Sequence, residues 1–189
     1  MGTVVLFVHG AGEGAYEVDG LLVASLRDAL GPSYEVRYPR MPLEESAQYA
    51  DWTARIADAL PPRGSEVVLV GHSVGGSVLL RYLCEEPVEA SVTGLFVIAA
   101  PFWGADDFWD WNEARLPEDA AEKLAAVPRI LMYHSRDDEV VPFSHLALYA
   151  ARLPQATIRP VDVGGHQLES DLADVARDIA DQAGGTSNE

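Results

Sequence analysis

The feature of this sequence that most constrains its fold is a regular alternation between short apolar runs and segments with helical periodicity. Six runs rich in β-branched residues are predicted strands, at Val4–Val8, Glu35–Tyr38, Glu66–Val70, Thr93–Ala100, Arg129–Tyr133 and Thr157–Val163. These runs are largely uninterrupted rather than alternating, which is typical of strands buried on both faces. The pattern therefore predicts an α/β doubly wound domain, in which helices cover a parallel sheet.

The segments between these runs repeat apolar residues at spacings of three and four, which is the periodicity of a helix with one buried face. The first predicted helix ends at Gly31-Pro32, and its apolar positions are Val18, Leu21, Leu22, Leu26, Ala29 and Leu30. Further helices are predicted at Tyr49–Leu60, Val74–Cys84, Pro142–Leu153 and Leu168–Ile179.

The length of 189 residues is ordinary for one domain, which we expect to span residues 1–183, with a disordered tail at 184–189. The longest stretch without a predicted strand is 101–127. It holds three of the four tryptophans and becomes helix-like from Glu118 to Ala126. This stretch is too short for a separate domain, and the family resemblance given below implies that it is a small lid-like insertion.

Charge and cysteine content exclude several classes of partner and compartment. The 13 basic and 30 acidic residues give a net charge of −17, and a field of this sign repels phosphate backbones and anionic membrane surfaces. We therefore expect neither nucleic acid nor a membrane as a partner. The only cysteine is Cys84, so an intrachain disulfide is excluded. The N-terminus lacks the basic region and cleavage site of a signal peptide, and we expect a cytoplasmic protein.

The strongest functional motif is Gly71-His72-Ser73-Val74-Gly75, a G-x-S-x-G sequence between a predicted buried strand and a predicted helix. In that context the motif predicts a sharp turn that strains the backbone of Ser73 and exposes its hydroxyl. Gly71 and Gly75 lack a Cβ, which lets the chain pass close to itself. The alternative is a glycine-rich turn in which Ser73 only caps the helix.

A serine hydroxyl is a weak nucleophile, so it needs a base within reach, and the base needs an orienting acid. Three histidines follow Ser73 in the sequence. His166 is the predicted base, because it follows the last strand at the edge where open α/β sheets place their sites. His134 ends the preceding strand and is expected to be packed, whereas His145 lies in a predicted helix and is expected to be structural or exposed.

The acid is expected in the loop after the strand Arg129–Tyr133. Asp137, Asp138 and Glu139 are adjacent there, and composition does not distinguish between them. The acid should be the carboxylate that is partly buried against His166, and at least two of the three should be solvated loop charges.

The first predicted strand ends in a loop of small residues, His9-Gly10-Ala11-Gly12, which allows a backbone N–H to approach a substrate oxygen. A hydrolase oxyanion hole takes one N–H from the residue after the nucleophile, here Val74, and the second from such a loop. We therefore predict that Val74 acts with Ala11 or Gly12. The alternative is that the loop serves only as a turn.

Together these segments resemble the α/β-hydrolase superfamily, in particular the cap-poor serine hydrolases of the retinoblastoma-binding-protein-nine type. The resemblance is carried by His9–Gly12, Gly71–Gly76, Ser135–Pro142 and Gly165-His166. In that family the acid precedes a short x-x-[VL]-P segment, which Asp138 matches. The resemblance implies an α/β-hydrolase-like three-layer sandwich with a mostly parallel six-stranded sheet in the order 2-1-3-4-5-6.

The resemblance also implies a function, a carboxylesterase-like serine hydrolase that cleaves a small ester or thioester through an acyl-enzyme on Ser73. Asp138 and His166 complete the triad, and neither a metal nor an organic cofactor is needed. Thioesterase, amidase and acyltransferase activities share the acyl-enzyme step and stay open, as does the oligomeric state. The alternative is a protein-binding or scaffold member with an intact but little-used triad, because some members are named for a partner protein.

The aromatic residues of 101–127 admit two interpretations. Trp103, Phe108, Trp109 and Trp111 either line an acyl or leaving-group pocket or pack the segment onto the body of the protein. We place Trp103 and Trp109, with His9, in the predicted substrate pocket. An exposed cluster of this kind also suits an interaction surface for a protein partner.

Overall fold

Six parallel strands form one sheet in the computed structural model, which describes residues 2–184. The strands are β1 (Thr3–Val8), β2 (Tyr34–Arg37), β3 (Glu66–His72), β4 (Ser91–Ile98), β5 (Ile130–Ser135) and β6 (Thr157–Val161). Their order is β2-β1-β3-β4-β5-β6, and every neighbouring pair is parallel. The predicted strands and the predicted order 2-1-3-4-5-6 are therefore confirmed.

The helices lie between the strands, as the alternating pattern predicts. They are α1 (Ala15–Leu30), α2 (Tyr49–Ala59), α3 (Val74–Glu85), α4 (Ala120–Lys123), α5 (Ser144–Arg152) and α6 (Ala173–Gly184). Leu168 and Leu172 precede α6, although they were expected inside it. Gly184 ends α6 rather than opening a disordered tail, and the rest of that predicted tail, 185–189, lies outside the described residues. Over residues 2–184, no helix has the length and apolarity that crossing a bilayer requires.

Two apolar cores lie on opposite faces of the sheet. Along β3, Val67 and Leu69 enter one core, whereas Val68 and Val70 enter the other. Side chains of α2, α3, α4 and α5 cover the first core, and those of α1 and α6 cover the second. Both faces of the four central strands are therefore buried, which explains why their sequences are apolar at consecutive positions. The edge strands β2 and β6 are partly exposed and contain charged residues. This is the predicted three-layer arrangement.

The buried face of α1 differs from the predicted one. Val18 and Leu21 are 47% and 61% exposed, although the spacing placed them on the apolar face. The buried positions of the helix are Asp19, Leu22, Val23, Leu26 and Leu30. The core-facing stripe of α1 therefore includes a carboxylate, which must find hydrogen-bond donors inside the protein.

Residues 101–127 pack against α3 and α5. Trp103 Nε1 donates to Ser77 Oγ on α3 at 2.8 Å, and the Phe102 N–H donates to His145 Nδ1 on α5 at 2.9 Å. Within this segment the α-helix comprises only Ala120–Lys123, so the helix predicted from Glu118 to Ala126 is too long. Side-chain anchors rather than regular structure hold the segment in place.

Candidate active site

Ser73 occupies a strained turn between β3 and α3. Its φ of 51° and ψ of −125° place it in a region that non-glycine residues rarely adopt. A Cβ at Gly71 would lie 2.6 Å from Gly76 Cα, and one at Gly75 would lie 2.4 Å from the carbonyl oxygen of His9. The predicted close approach of the chain at Gly71 and Gly75 is therefore present, and it forces the geometry of the turn.

The structure brings His166 and Asp138 together from the loops after β6 and β5. His166 Nδ1 lies 2.9 Å from Asp138 Oδ2 and 3.1 Å from Oδ1. Because a carboxylate only accepts hydrogen bonds, Nδ1 carries the proton and Nε2 of the neutral ring carries the lone pair. The Asp138 side chain is 0% exposed, which is the burial that the sequence analysis required of the acid.

A second histidine contacts the same carboxylate. His134 Nε2 lies 3.1 Å from Asp138 Oδ2 and 2.9 Å from the Val141 carbonyl oxygen, so Nε2 is a donor. Burial alone would raise the pKa of Asp138, but the hydrogen bonds from His134 and His166 hold it well below its ordinary value. His134 is packed, as predicted, but sequence reasoning missed its contact with the acid.

Asp137 and Glu139 also bind the loop that carries His166. Asp137 Oδ1 accepts from the N–H groups of Gly164 at 3.0 Å and Gly165 at 2.9 Å, and Glu139 Oε2 accepts from the His166 N–H at 3.3 Å. These two of the three adjacent acids are solvent-exposed, as expected, but they also bind the backbone of this loop.

The loop after β1 lies beside Ser73. A Cβ added at Gly10 would lie 3.1 Å from Ser73 Cβ and 3.6 Å from Ser73 Oγ. The N–H of Gly12 donates to the Glu44 carbonyl oxygen at 2.7 Å. Of the two predicted loop donors, Gly12 is therefore already engaged, which leaves Ala11.

Val74 supplies the other predicted N–H. It is the first residue of α3, and such residues have no acceptor within their own helix. Within residues 2–184, neither the Val74 N–H nor the Ala11 N–H donates to a protein acceptor. Both are therefore available to a ligand.

His9 lies in the interior, not on a pocket surface. It is 0% exposed, its Nδ1 donates to the Gly10 carbonyl oxygen at 2.6 Å, and its Nε2 accepts from the Met41 N–H at 2.9 Å. Burial lowers its pKa, consistent with a neutral ring that donates once and accepts once. The structure therefore gives His9 the role of shaping the loop, which corrects its placement in the predicted substrate pocket.

Trp103 and Trp109 are half-buried and adjacent, with ring centroids 5.8 Å apart. The Trp103 indole N–H is hydrogen-bonded to Ser77, one helical turn beyond Ser73, so Trp103 lies beside the start of α3. Trp109 packs edge-on against His145, which is buried rather than exposed. Phe108 packs edge-on against Trp109, with ring centroids 5.2 Å apart, but its side chain is 83% exposed. The tryptophans thus anchor the segment and remain partly accessible.

Among residues 2–184, no three His, Cys, Asp or Glu side chains are grouped in a way that could hold a metal ion. The polar groups near the Ser73 turn are instead the His166–Asp138 pair, whose imidazole packs against His72, and the unengaged N–H groups of Val74 and Ala11. This set can move a proton and bind a negatively charged oxygen.

Comparison with known proteins places these observations in a family. The model of the alpha/beta hydrolase family matches residues 5–182. The ydeN gene product of B. subtilis is similar in structure, with a TM-score of 0.72, 20% identity, and coverage of 96% of this chain and 99% of that one. The esterase domain of a Rhodothermus marinus protein has a TM-score of 0.67, 22% identity, and coverage of 96% and 85%.

A third similar structure is the serine hydrolase CCSP0084 of Cycloclasticus zankles, a polyaromatic-hydrocarbon-degrading bacterium. Its TM-score is 0.69 at 15% identity, with coverage of 100% of this chain and 92% of that one. No curated protein matches the sequence. At these identities the solved structures establish the shared fold.

Proposed function

Since the chain belongs to the alpha/beta hydrolase family, we propose that it is a serine hydrolase that cleaves a small ester or thioester through an acyl-enzyme on Ser73. The observation that carries this proposal is the buried His166–Asp138 pair beside a strained serine turn. His72, which precedes Ser73, packs its ring 4.8 Å from the ring of His166. The base therefore lies against the turn that holds the nucleophile.

Acylation begins when Ser73 Oγ attacks the ester carbonyl carbon and its proton passes to His166 Nε2. The Asp138 carboxylate stays ionised, holds the ring in the reactive tautomer and stabilises the imidazolium. The imidazolium then protonates the leaving alcohol or thiol as the carbon–heteroatom bond breaks. Water attacks the acyl-enzyme with His166 again as the base, which releases the acid and restores Ser73.

The N–H groups of Val74 and Ala11 stabilise the oxyanion of each tetrahedral intermediate. Val74 begins α3, so the positive end of the helix dipole adds to its hydrogen bond. The sequence left Ala11 and Gly12 as alternatives for the second donor. We choose Ala11, because the Gly12 N–H is hydrogen-bonded to the Glu44 carbonyl oxygen. Removal of one such hydrogen-bond donor typically lowers kcat by a factor of about 10²–10³.

Trp103 and Trp109 form one wall of the acyl or leaving-group pocket in this proposal. Both are half-buried, and Trp103 is hydrogen-bonded to Ser77 near the start of α3. Residues 101–127 act as a short lid-like insertion, too small to enclose a large substrate. The net charge of −17 disfavours strongly anionic substrates.

Replacing Ser73 with Ala tests the proposal. We expect loss of p-nitrophenyl acetate hydrolysis and loss of labelling by a fluorophosphonate probe, because no other residue in the site is an activated nucleophile. Ser33→Ala is the matched control, since Ser33 is exposed and precedes β2 at the opposite edge of the sheet. Full hydrolysis by Ser73→Ala would contradict the proposal.

A protein-binding function is the second candidate, and the exposure of Phe108 favours it. In that case the triad is intact but little used, which is the alternative that the resemblance to the retinoblastoma-binding-protein-nine type implies. The rate of fluorophosphonate labelling separates the two candidates. A Ser73 that reacts no faster than an unactivated serine supports the binding protein, whereas rapid labelling supports the hydrolase.

A further inference from the structure

A second histidine–carboxylate pair, His72 with Asp19, lies directly behind the candidate triad. Both side chains are 1% exposed, and His72 Nδ1 is 2.8 Å from Asp19 Oδ2. We propose that this pair positions the loop of His166 and the oxyanion loop relative to Ser73. The inference rests on the proposed function, and it assigns His72 and Asp19 as positioning residues that act through other groups.

Asp19 connects three segments that are far apart in the sequence. Its Oδ2 accepts from the Gly10 N–H at 2.8 Å and from His72 Nδ1, and its Oδ1 accepts from Gln167 Nε2 at 3.1 Å. Gly10 belongs to the loop that presents the Ala11 N–H, and Gln167 follows the proposed base. One buried carboxylate therefore joins the oxyanion loop, the nucleophile turn and the base loop.

His72 extends this connection to the backbone of His166. Its Nε2 lies 3.0 Å from the His166 carbonyl oxygen, so both ring nitrogens face acceptors, and the imidazolium satisfies both. Burial alone would lower the pKa of His72, but the Asp19 carboxylate raises it above its ordinary value. Burial likewise opposes ionisation of Asp19, and His72 nevertheless lowers the pKa of that carboxyl.

The backbone of His166 is consequently held from two sides. Its N–H donates to Glu139 Oε2 at 3.3 Å, and its carbonyl oxygen accepts from His72. Proton transfer from serine requires the two heavy atoms to come within about 2.6–3.2 Å of each other. A small displacement of this loop should therefore reduce the rate of chemistry more than substrate binding.

Two substitutions of His72 separate positioning from a purely structural role. An Asn places its amide nitrogen near the position of Nδ1, which keeps the bond to Asp19 and loses the bond to His166. A Gln reaches the position of Nε2, which keeps the bond to His166 and loses the bond to Asp19. Each variant loses one hydrogen bond and the ring's charge, so the two variants differ in which contact of His72 is kept, the one to Asp19 or the one to the base loop.

We expect His72→Asn to lower kcat on p-nitrophenyl acetate by about tenfold to a hundredfold, with KM changed less than about threefold. His72→Gln should keep a kcat at least about fivefold above that of His72→Asn. Asp28→Asn on the exposed face of α1 is the control and should match the unaltered protein. Equal kcat values for the two His72 variants, or an unchanged kcat in His72→Asn, would overturn the proposal.

A measurement on the unaltered protein decides the point even if a variant does not fold. Nitrogen-15 NMR of the histidine rings at about pH 7 should show a proton on both nitrogens of His72. A His72 ring nitrogen without a proton would contradict the bridge between Asp19 and His166. This readout needs no activity, so it stands even if Ser73→Ala refutes the proposed function. An inactive Ser73→Ala with a fully active His72→Asn would refute only the positioning role.

Discussion

Replacement of Asp138 by Asn tests the proposed triad most sharply, because the two side chains have the same shape. Asp138 Oδ1 accepts from the N–H groups of Val140 and Val141, each at 2.8 Å. Oδ2 lies 2.9 Å from His166 Nδ1 and 3.1 Å from His134 Nε2. An amide nitrogen at the Oδ1 position would face two backbone N–H groups, so it takes the Oδ2 position.

At that position the Asn amide donates to His166 Nδ1, which must then carry the lone pair and leave the proton on Nε2. That tautomer does not accept the proton of Ser73. An inverted tautomer of this kind lowers kcat by a factor of about 10⁴, which corresponds to a rise of about 5 kcal/mol in the activation barrier. In this variant His134 Nε2 loses the carboxylate as an acceptor but keeps the Val141 carbonyl oxygen. We therefore expect the free energy of unfolding to fall by about 1–3 kcal/mol, the cost of one poorly paired buried polar group.

The assay compares kcat for a p-nitrophenyl ester with the free energy of unfolding in urea. Asp162→Asn is the control, because the Asp162 side chain is 94% exposed and should change neither quantity. Asp138→Asn with a kcat within about tenfold of the unaltered protein would refute the tautomer argument and the assignment of Asp138. A large loss of kcat in a protein that remains folded would support both.

Four further predictions concern the acid stability of the fold, two glycines and the two tryptophans. Burial alone would raise the pKa of Asp138, but the hydrogen bonds from its two histidine donors lower it. The ionised carboxylate therefore stabilises the folded state fully above about pH 4, near the pKa of an Asp in the unfolded chain. This stabilisation is lost as the pH falls from there towards the pKa of Asp138 in the folded state. Urea unfolding at about pH 7 and pH 3 should therefore show a larger acid-induced loss for the unaltered protein than for Asp138→Asn; equal losses would contradict the argument. Gly20→Ala should stabilise by about 0.4–1 kcal/mol, since a Cβ there meets nothing within 4 Å on α1. Gly75→Ala should prevent folding or cost more than about 3 kcal/mol, because its Cβ would overlap two carbonyl oxygens; a stable Gly75→Ala would show that the turn is looser than described. Trp103→Ala and Trp109→Ala should change the relative rates across esters of graded acyl length, and an unchanged profile would remove both from the pocket.

Sequence reasoning was most accurate where the signal is local. The apolar runs at 67–70 and 95–98 predicted central strands, because a strand buried on both faces has no polar position to interrupt it. The residues around Ser73 predicted the strained turn, because only glycines tolerate the backbone approaches measured at Gly71 and Gly75. The same local reasoning failed on α1, where apolar Val18 and Leu21 are exposed and Asp19 is buried.

A signal for Asp19 was nevertheless present in the sequence. It precedes Leu22, Val23 and Leu26 at spacings of three, four and seven, so it lies on the same helical stripe. A carboxylate on an apolar stripe indicates a buried donor elsewhere in the chain. The sequence does not say which residue supplies that donor, and His72 lies 53 residues away.

The sequence by itself determined the order of strands and helices, the serine turn and the residue types of the site. These features depend on periodicity and on turn chemistry within about ten residues, which are readable along the chain. Tertiary structure decided which loop carboxylate reaches the His166 ring, 28 residues away, and which loop N–H remains available. It also decided that His9 shapes a loop and that Asp19 joins three segments. Each of these contacts crosses between loops, so its geometry depends on how the helices pack on the sheet and not on neighbouring residues.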